Sequence, residues 1–182
     1  MINMRLCRLF SLAIAAIVLA SCAPEENPSP LQVNGDRLRS EKTIVLDENF
    51  QIATGQTIYV PVYSHIYHQD EKKVFDLAAT LSLRNTDLDR AIVITSVRYY
   101  DENGKLVRNY LENPIEIDPL GSTDFFVNTT DTSGGSGAKF IVEWVAQTKV
   151  TEPMIEAIMI GSGYQQGISF VSPGRVIKNQ SN

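Results

Sequence analysis

The chain predicts an all-β domain, an antiparallel β-sandwich of immunoglobulin-like or Greek-key type with seven to nine strands. Three observations predict it. Short stretches of alternating hydrophobicity recur from Thr57 to Ser172. Clusters of Asn, Asp, Gly and Pro separate them. No long amphipathic helical pattern interrupts the series. A small closed barrel is the alternative arrangement.

The strands follow in order. Thr57 to Ser64 puts Ile58, Val60 and Val62 on one face and Tyr59, Pro61 and Tyr63 on the other. Pro61 has no N–H to give a ladder, so this strand is expected at a sheet edge. Val74 to Arg84 alternates most cleanly, with Phe75, Leu77, Ala79, Leu81 and Leu83 on the buried side. Asn85 to Asp89 is a turn cluster. Ile92 to Tyr100 is β-branched and aromatic. Asp101-Glu102-Asn103-Gly104 is a hairpin turn, with Lys105 to Tyr110 as its return arm.

Pro114 to Leu120 is extended, and Thr123 to Asn128 is a further strand. The loop Thr129 to Gly137 precedes the strand Ala138 to Gln147, where Phe140, Val142 and Trp144 share a face. Met154 to Ile160, bounded by Pro153 and Gly161, reads as a strand, and Gly167 to Ser172 as the last one. Tyr99-Tyr100 and Phe125-Phe126 each straddle a strand, so one of each pair is expected in the core, along with Trp144.

The N-terminus is organised differently. Residues 1–21 read as a lipoprotein signal peptide. Arg5 and Arg8 precede the twelve uncharged residues Leu9 to Ala20. Such a run is too short for a bilayer core of about 30 Å, which takes roughly 20 helical residues. Leu19-Ala20-Ser21-Cys22 is a lipobox, which makes Cys22 the lipid attachment site and the first residue of the mature chain. Two acyl chains such as palmitate would hold the protein on a membrane. The other cysteine, Cys7, leaves with the leader, so no internal disulfide is expected.

Loss of the leader moves the net charge from −5 to −7. An acidic chain lacks the basic footprint of a nucleic-acid binder. Residues 22–55, with Pro24, Pro28 and Pro30, are expected to form a flexible tether. The sandwich domain is then 56–177, and 178–182 a polar tail.

Several segments resemble one bacterial family. They are Tyr59-Val60-Pro61-Val62-Tyr63-Ser64-His65-Ile66-Tyr67-His68, Leu77 to Asp87, Asp131 to Ala138, Glu156 to Gly161 and Gln166 to Phe170. The family is catalogued as domain of unknown function 3124, and the resemblance covers about Thr57 to Ile177. It implies an exported single-domain protein and carries no activity, substrate or cofactor with it.

Motifs for chemistry are sparse. His65 and His68, with Asp70 nearby, could serve a hydrolase or a metal site. On an extended strand, however, positions three apart point to opposite faces. No metal site is therefore expected. Asp131-Thr132-Ser133-Gly134 misses the aspartic protease triplet by one inserted residue. Gly134-Gly135-Ser136-Gly137-Ala138 lacks the last glycine of a nucleophile elbow and precedes a strand rather than a helix. Its glycines could form an anion-binding nest or a hairpin loop.

No catalytic residue and no cofactor is assigned, and the protein is not expected to be an enzyme. The expected binding face comprises His65, Tyr67, His68, Asp131, Gly134, Gly135 and Ser136. Alternating strand directions bring these segments to one end of the sandwich, away from the tether. The expected function is a lipoprotein binding or scaffold domain on the exported side of a membrane, in a periplasmic leaflet or on the cell surface. Its expected partner is an envelope protein or cell-wall component.

Overall fold

The computed structural model describes residues 42–46, 50–163 and 166–180. The expected signal peptide, Cys22 and the tether as far as residue 41 lie outside the described residues, as do residues 181–182.

Thirteen strands are present among the described residues. They are β1 (Lys42–Thr43), β2 (Thr54–Val62), β3 (His65–His68), β4 (Asp70–Asp76), β5 (Ala78–Arg84), β6 (Ile92–Tyr100) and β7 (Leu106–Asn109). The rest are β8 (Ile115–Ile117), β9 (Ser122–Val127), β10 (Ala138–Ala146), β11 (Met154–Gly163), β12 (Gln166–Pro173) and β13 (Arg175–Gln180). One sheet runs β1-β8-β6-β10-β2-β13, with β7 also on β6; a second runs β12-β11-β5-β9; β3 and β4 form a separate hairpin. Every pairing is antiparallel. The fold is an antiparallel β-sandwich, as the alternation predicts.

The expected faces are the observed ones. Ile58, Val60 and Val62 of β2 meet Phe140, Val142 and Trp144 of β10 in one core cluster with Leu81 and Leu83 of β5. Ile155, Ala157 and Met159 of β11 complete the opposite wall. Tyr99, Phe125 and Trp144 are buried, whereas Phe126 faces out. β6 departs from strict alternation, because Glu143 pairs with Ser96 and Trp144 with Ile94. Thr95 is thus the extra residue of a bulge, which lets both Ile94 and Val97 reach the core.

Thirteen strands replace the expected seven to nine, for identifiable reasons. Val74 to Arg84 is two strands, broken at Leu77, where the chain passes from the β3–β4 hairpin into the second sheet. β1, Lys42–Thr43, lies inside the span expected as tether, and Ile44 N–H beyond it donates to the Pro114 carbonyl. β2 starts at Thr54, also inside that span. The expected polar tail is, through Gln180, part of β13.

Pro61 therefore sits on an inner strand, not an edge strand. β13 covers β2 only from Gly55 to Tyr59, so no ladder faces Pro61 on that flank. Gly174 is the corner where β12 of one sheet continues as β13 of the other. A Cβ there would lie 2.6 Å from Ile58 and 2.7 Å from the Ile155 carbonyl.

One end of the sandwich is tied by the Asn85 turn. Buried Asn85 donates Nδ2 to the carbonyls of Arg90 (2.8 Å), Ile117 and Asp118 (3.1 Å each). The Asp87 carboxylate accepts the N–H groups of Asp89 and Arg90 (3.0 Å each) and of Thr151 (2.8 Å). The Thr151 N–H, then those of Asp89 and Arg90, hold the Asp87 carboxyl below its ordinary value of 3.8.

A carboxyl lowered on folding stabilises the fold above its unfolded pKa. That contribution disappears as the pH falls through the lower folded value. Asp87→Asn should therefore destabilise the domain at neutral pH and flatten its loss of stability below pH 3.8. Urea melts across that range check this.

Register is tested separately. Leu81 is fully buried. Leu81→Ala should cost about 2–5 kcal/mol. Ser82 points to the outer face, where its Oγ accepts a hydrogen bond from Arg84 Nε. Ser82→Ala should cost under about 1 kcal/mol, and urea melts of the pair should show that order.

Candidate functional site

Strand directions define two ends. β2 and β6 rise and β10 descends. β7 and β8 both descend along β6, so Pro114 to Leu120 continues the descent begun at Leu106. Leu77 N–H donates to the Ser64 carbonyl, which starts β5 at the end where β2 finishes. The β3–β4 hairpin, the Asp101 turn and the glycine-rich loop gather at that upper end. β1 pairs with β8 at Ile115 and Glu116, near the start of β6, so the chain enters at the lower end.

The glycine-rich loop is closed down onto the sandwich. Ser64 N–H donates to the Gly135 carbonyl and Glu102 N–H to the Gly134 carbonyl, each at 3.0 Å. Gly134 lies on the Tyr99 hydroxyl, which would be 1.9 Å from any Cβ there. Gly135, at φ +72°, would press a Cβ within 2.5 Å of the Glu102 carboxylate. The N–H groups of Ser133 and Gly135 are taken by Asp131 Oδ1 and the Thr132 carbonyl. These glycines allow close backbone approach, and these two N–H groups are bonded within the loop itself.

Asp131 is likewise engaged. The Ser133 hydroxyl donates to its carboxylate, and Arg108 pairs with it at 2.9 Å. The Ser133 hydroxyl first, with Ser133 N–H and Arg108, holds the Asp131 carboxyl below the usual range. Arg108 also donates to Tyr110 Oη at 3.1 Å, and Tyr110 donates to the Phe126 carbonyl at 3.2 Å. Burial pushes the phenols of Tyr110 and Tyr99 up, and the Ser64 hydroxyl, 3.0 Å from Tyr99 Oη, acts against that at Tyr99. This cluster fastens β7 to β9 and to the loop.

The two histidines diverge. His65 stands edge-on to Tyr67 at 5.8 Å, on one face of the hairpin. His68 stands edge-on to Phe75 at 6.5 Å. Phe75 pairs across the strands with Ile66, and both pack on the core side. Among the described residues, no three His, Cys, Asp or Glu side chains are grouped to hold a metal ion.

His68 instead lines a cleft of about 650 Å³ between the β3–β4 and β11–β12 hairpins. Ile66, Phe75 and Ile168 supply its apolar wall; Gln69, Lys73 and Gln166 its polar one; Gly163 and Gly167 expose backbone. Gln69 is the single residue linking β3 to β4 and has φ +65°, a conformation uncommon for a side chain other than glycine. Lys73 Nζ donates to Gln69 Oε1 at 2.7 Å.

Of the seven residues expected at a binding face, His68 lines the cleft. Tyr67 is exposed beside it, Ser136 is half-buried in the loop, and Gly134, Gly135 and Asp131 serve packing. Sequence reasoning missed the β11–β12 wall. The signal available was the spacing Gly161, Gly163, Gly167. A Cβ at Gly161 would sit 2.4 Å from the Phe75 ring and one at Gly163 3.0 Å from it.

On the outer face of the smaller sheet, Phe126, Thr80, Ile158 and Val171 form a row across four strands. Phe126 and Val171 are more than half exposed. Among the described residues, no helix is long and apolar enough to cross a membrane.

Comparisons with known proteins add little about chemistry. No curated protein matches the chain. The crystal structure of Thermotoga maritima 1070 aligns with a TM-score of 0.42 at 12% identity, over 66% of this chain and 92% of that one. The family model for a protein of unknown function, DUF3124, matches residues 55–177, which is the sandwich from the start of β2 into β13. The chain belongs to the DUF3124 family.

Proposed function

We propose that this protein is a lipoprotein whose sandwich domain acts by binding, held by acyl chains on Cys22 to the exported side of a membrane. The observation that carries the binding reading is the cleft at the upper end, with its volume of about 650 Å³. Sites for small molecules fall in the range of about 300–1,000 Å³. The β3–β4 hairpin, the Asp101 turn and the glycine-rich loop all gather at this end. Functional loops of sandwich domains gather at one end in the same way. Binding rather than catalysis fits the divergence of His65 and His68, which do not converge on a shared acid, base or metal. The partner is an envelope protein or cell-wall component.

Anchoring is tested by metabolic labelling with a clickable palmitate. The wild-type chain should label and remain with membranes, and Cys22→Ser should lose the label. Equal labelling of the variant would contradict the anchor.

A further inference from the structure

We propose that the cleft between the β3–β4 and β11–β12 hairpins binds a small organic acid, a single carboxylate or phosphate group on an apolar body. The inference rests on the reading of the domain as a binding module and specifies the chemical group that the cleft receives, whether free or carried by a larger partner.

Among the described residues, the polar wall carries the Lys73 ammonium group together with the His68 imidazole and the amides of Gln69 and Gln166. Among the described residues that line it there is no carboxylate. That choice is notable in a chain of net charge −5, with 21 acids against 16 Lys and Arg. A ligand cation would meet Lys73 as a like charge; an anion would meet it as a counter-ion.

Two further features orient the ammonium group. The hairpin turns through the one residue Gln69, whose left-handed backbone costs free energy that an ordinary glycine turn would avoid. That turn puts the Gln69 amide where its oxygen accepts from Lys73 Nζ at 2.7 Å. An ammonium has three donors, so this bond leaves others for an acid group. Backbone conformations of this kind are found at ligand clamps.

The apolar wall complements the acid site. Ile66, Phe75 and Ile168 border the same space. Gly163 lies against the Phe75 ring, where a Cβ would come within 3.0 Å of it. Gly167 contributes its backbone to the cleft; it alternates with Ile168 along β12, so a side chain there would face the other side of the sheet.

The test uses the full chain, in phosphatidylcholine nanodiscs where it is acylated and free in buffer where it is not, and three matched probes. These are 3-phenylpropionate, 3-phenylpropyl phosphate and 3-phenylpropylamine, followed by ligand-observed NMR against empty nanodiscs or buffer alone. Inorganic phosphate alone is a fourth arm. The two aromatic acids should bind and compete with each other, while the amine and inorganic phosphate should not. A preference between the acids identifies the head group.

Lys73→Met should weaken both acids by on the order of tenfold. Ile168→Ala, which removes part of the apolar wall, should weaken both acids severalfold with little change in the thermal midpoint. Binding of the amine as tight as that of the acids would overturn the proposal. So would indifference of the acids to both variants, or no acid binding at millimolar concentration. Acylation at Cys22 is read in a separate experiment, so failure here leaves the anchor standing, and failure of the anchor leaves this result readable.

Discussion

Ser64 is the point on which the upper end depends. It is almost completely buried, where β2 leaves the larger sheet. Its N–H holds the Gly135 carbonyl, its carbonyl holds Leu77 N–H, and its hydroxyl meets the Tyr99 hydroxyl. All three of its polar groups are therefore partnered, as burial demands. Through them one residue ties the end of β2, the start of β5, the end of β6 and the glycine-rich loop. β2 and β5 belong to different sheets, so this is also one of the places where the chain joins the two layers.

What lies between Ser64 and Leu77 follows from that closure. The twelve intervening residues form the β3–β4 hairpin, whose two feet are clamped together at the sandwich. Clamped feet leave the hairpin projecting, with its inner face carrying Ile66 and Phe75 against the core. Gly161 and Gly163 of β11 let that hairpin approach the second wall closely, and the cleft is the space remaining between the two. The glycine-rich loop plays a different part. Gly134 and Gly135 let it sit down on Tyr99 and Glu102, which closes the neighbouring side of the same end.

The sandwich was legible because burial of one sheet face imposes period two. Leu77, Ala79, Leu81 and Leu83, or Phe140, Val142 and Trp144, admit few other readings. The turn chemistry of Asn85 to Asp89 and of Asp101 to Gly104 was legible for a similar reason. Short side chains there bond their own backbone, as Asp101 Oδ1 does with the N–H groups of Asn103 and Lys105.

Other features depend on contacts distant in sequence. Alternation continues unbroken from Phe75 to Leu83, so nothing local marks the change of sheet at Leu77. Polar Lys178 to Gln180 form a strand because the flank of β2 is free there. The cleft joins residues between 66 and 75 with Gly163 and Gln166 to Ile168, nearly a hundred positions apart. Loop convergence at the upper end was readable from strand direction alone. Which loops are packed shut and which border open space was not, because that depends on Tyr99 and Glu102 beneath the glycines.

Native-state amide hydrogen exchange on the mature domain tests the role of Ser64 most directly. Amides that open only with global unfolding exchange at the rate set by the full stability of the domain. The amides of Ser64 and Leu77 should fall in that class, with the protection of Val60 in β2. The exposed amides at the tip, from Gln69 to Lys72, should exchange far sooner. Fast exchange of Ser64 and Leu77, at the rate of the hairpin tip, would contradict a clamp at that position and with it the account of how the cleft is held open.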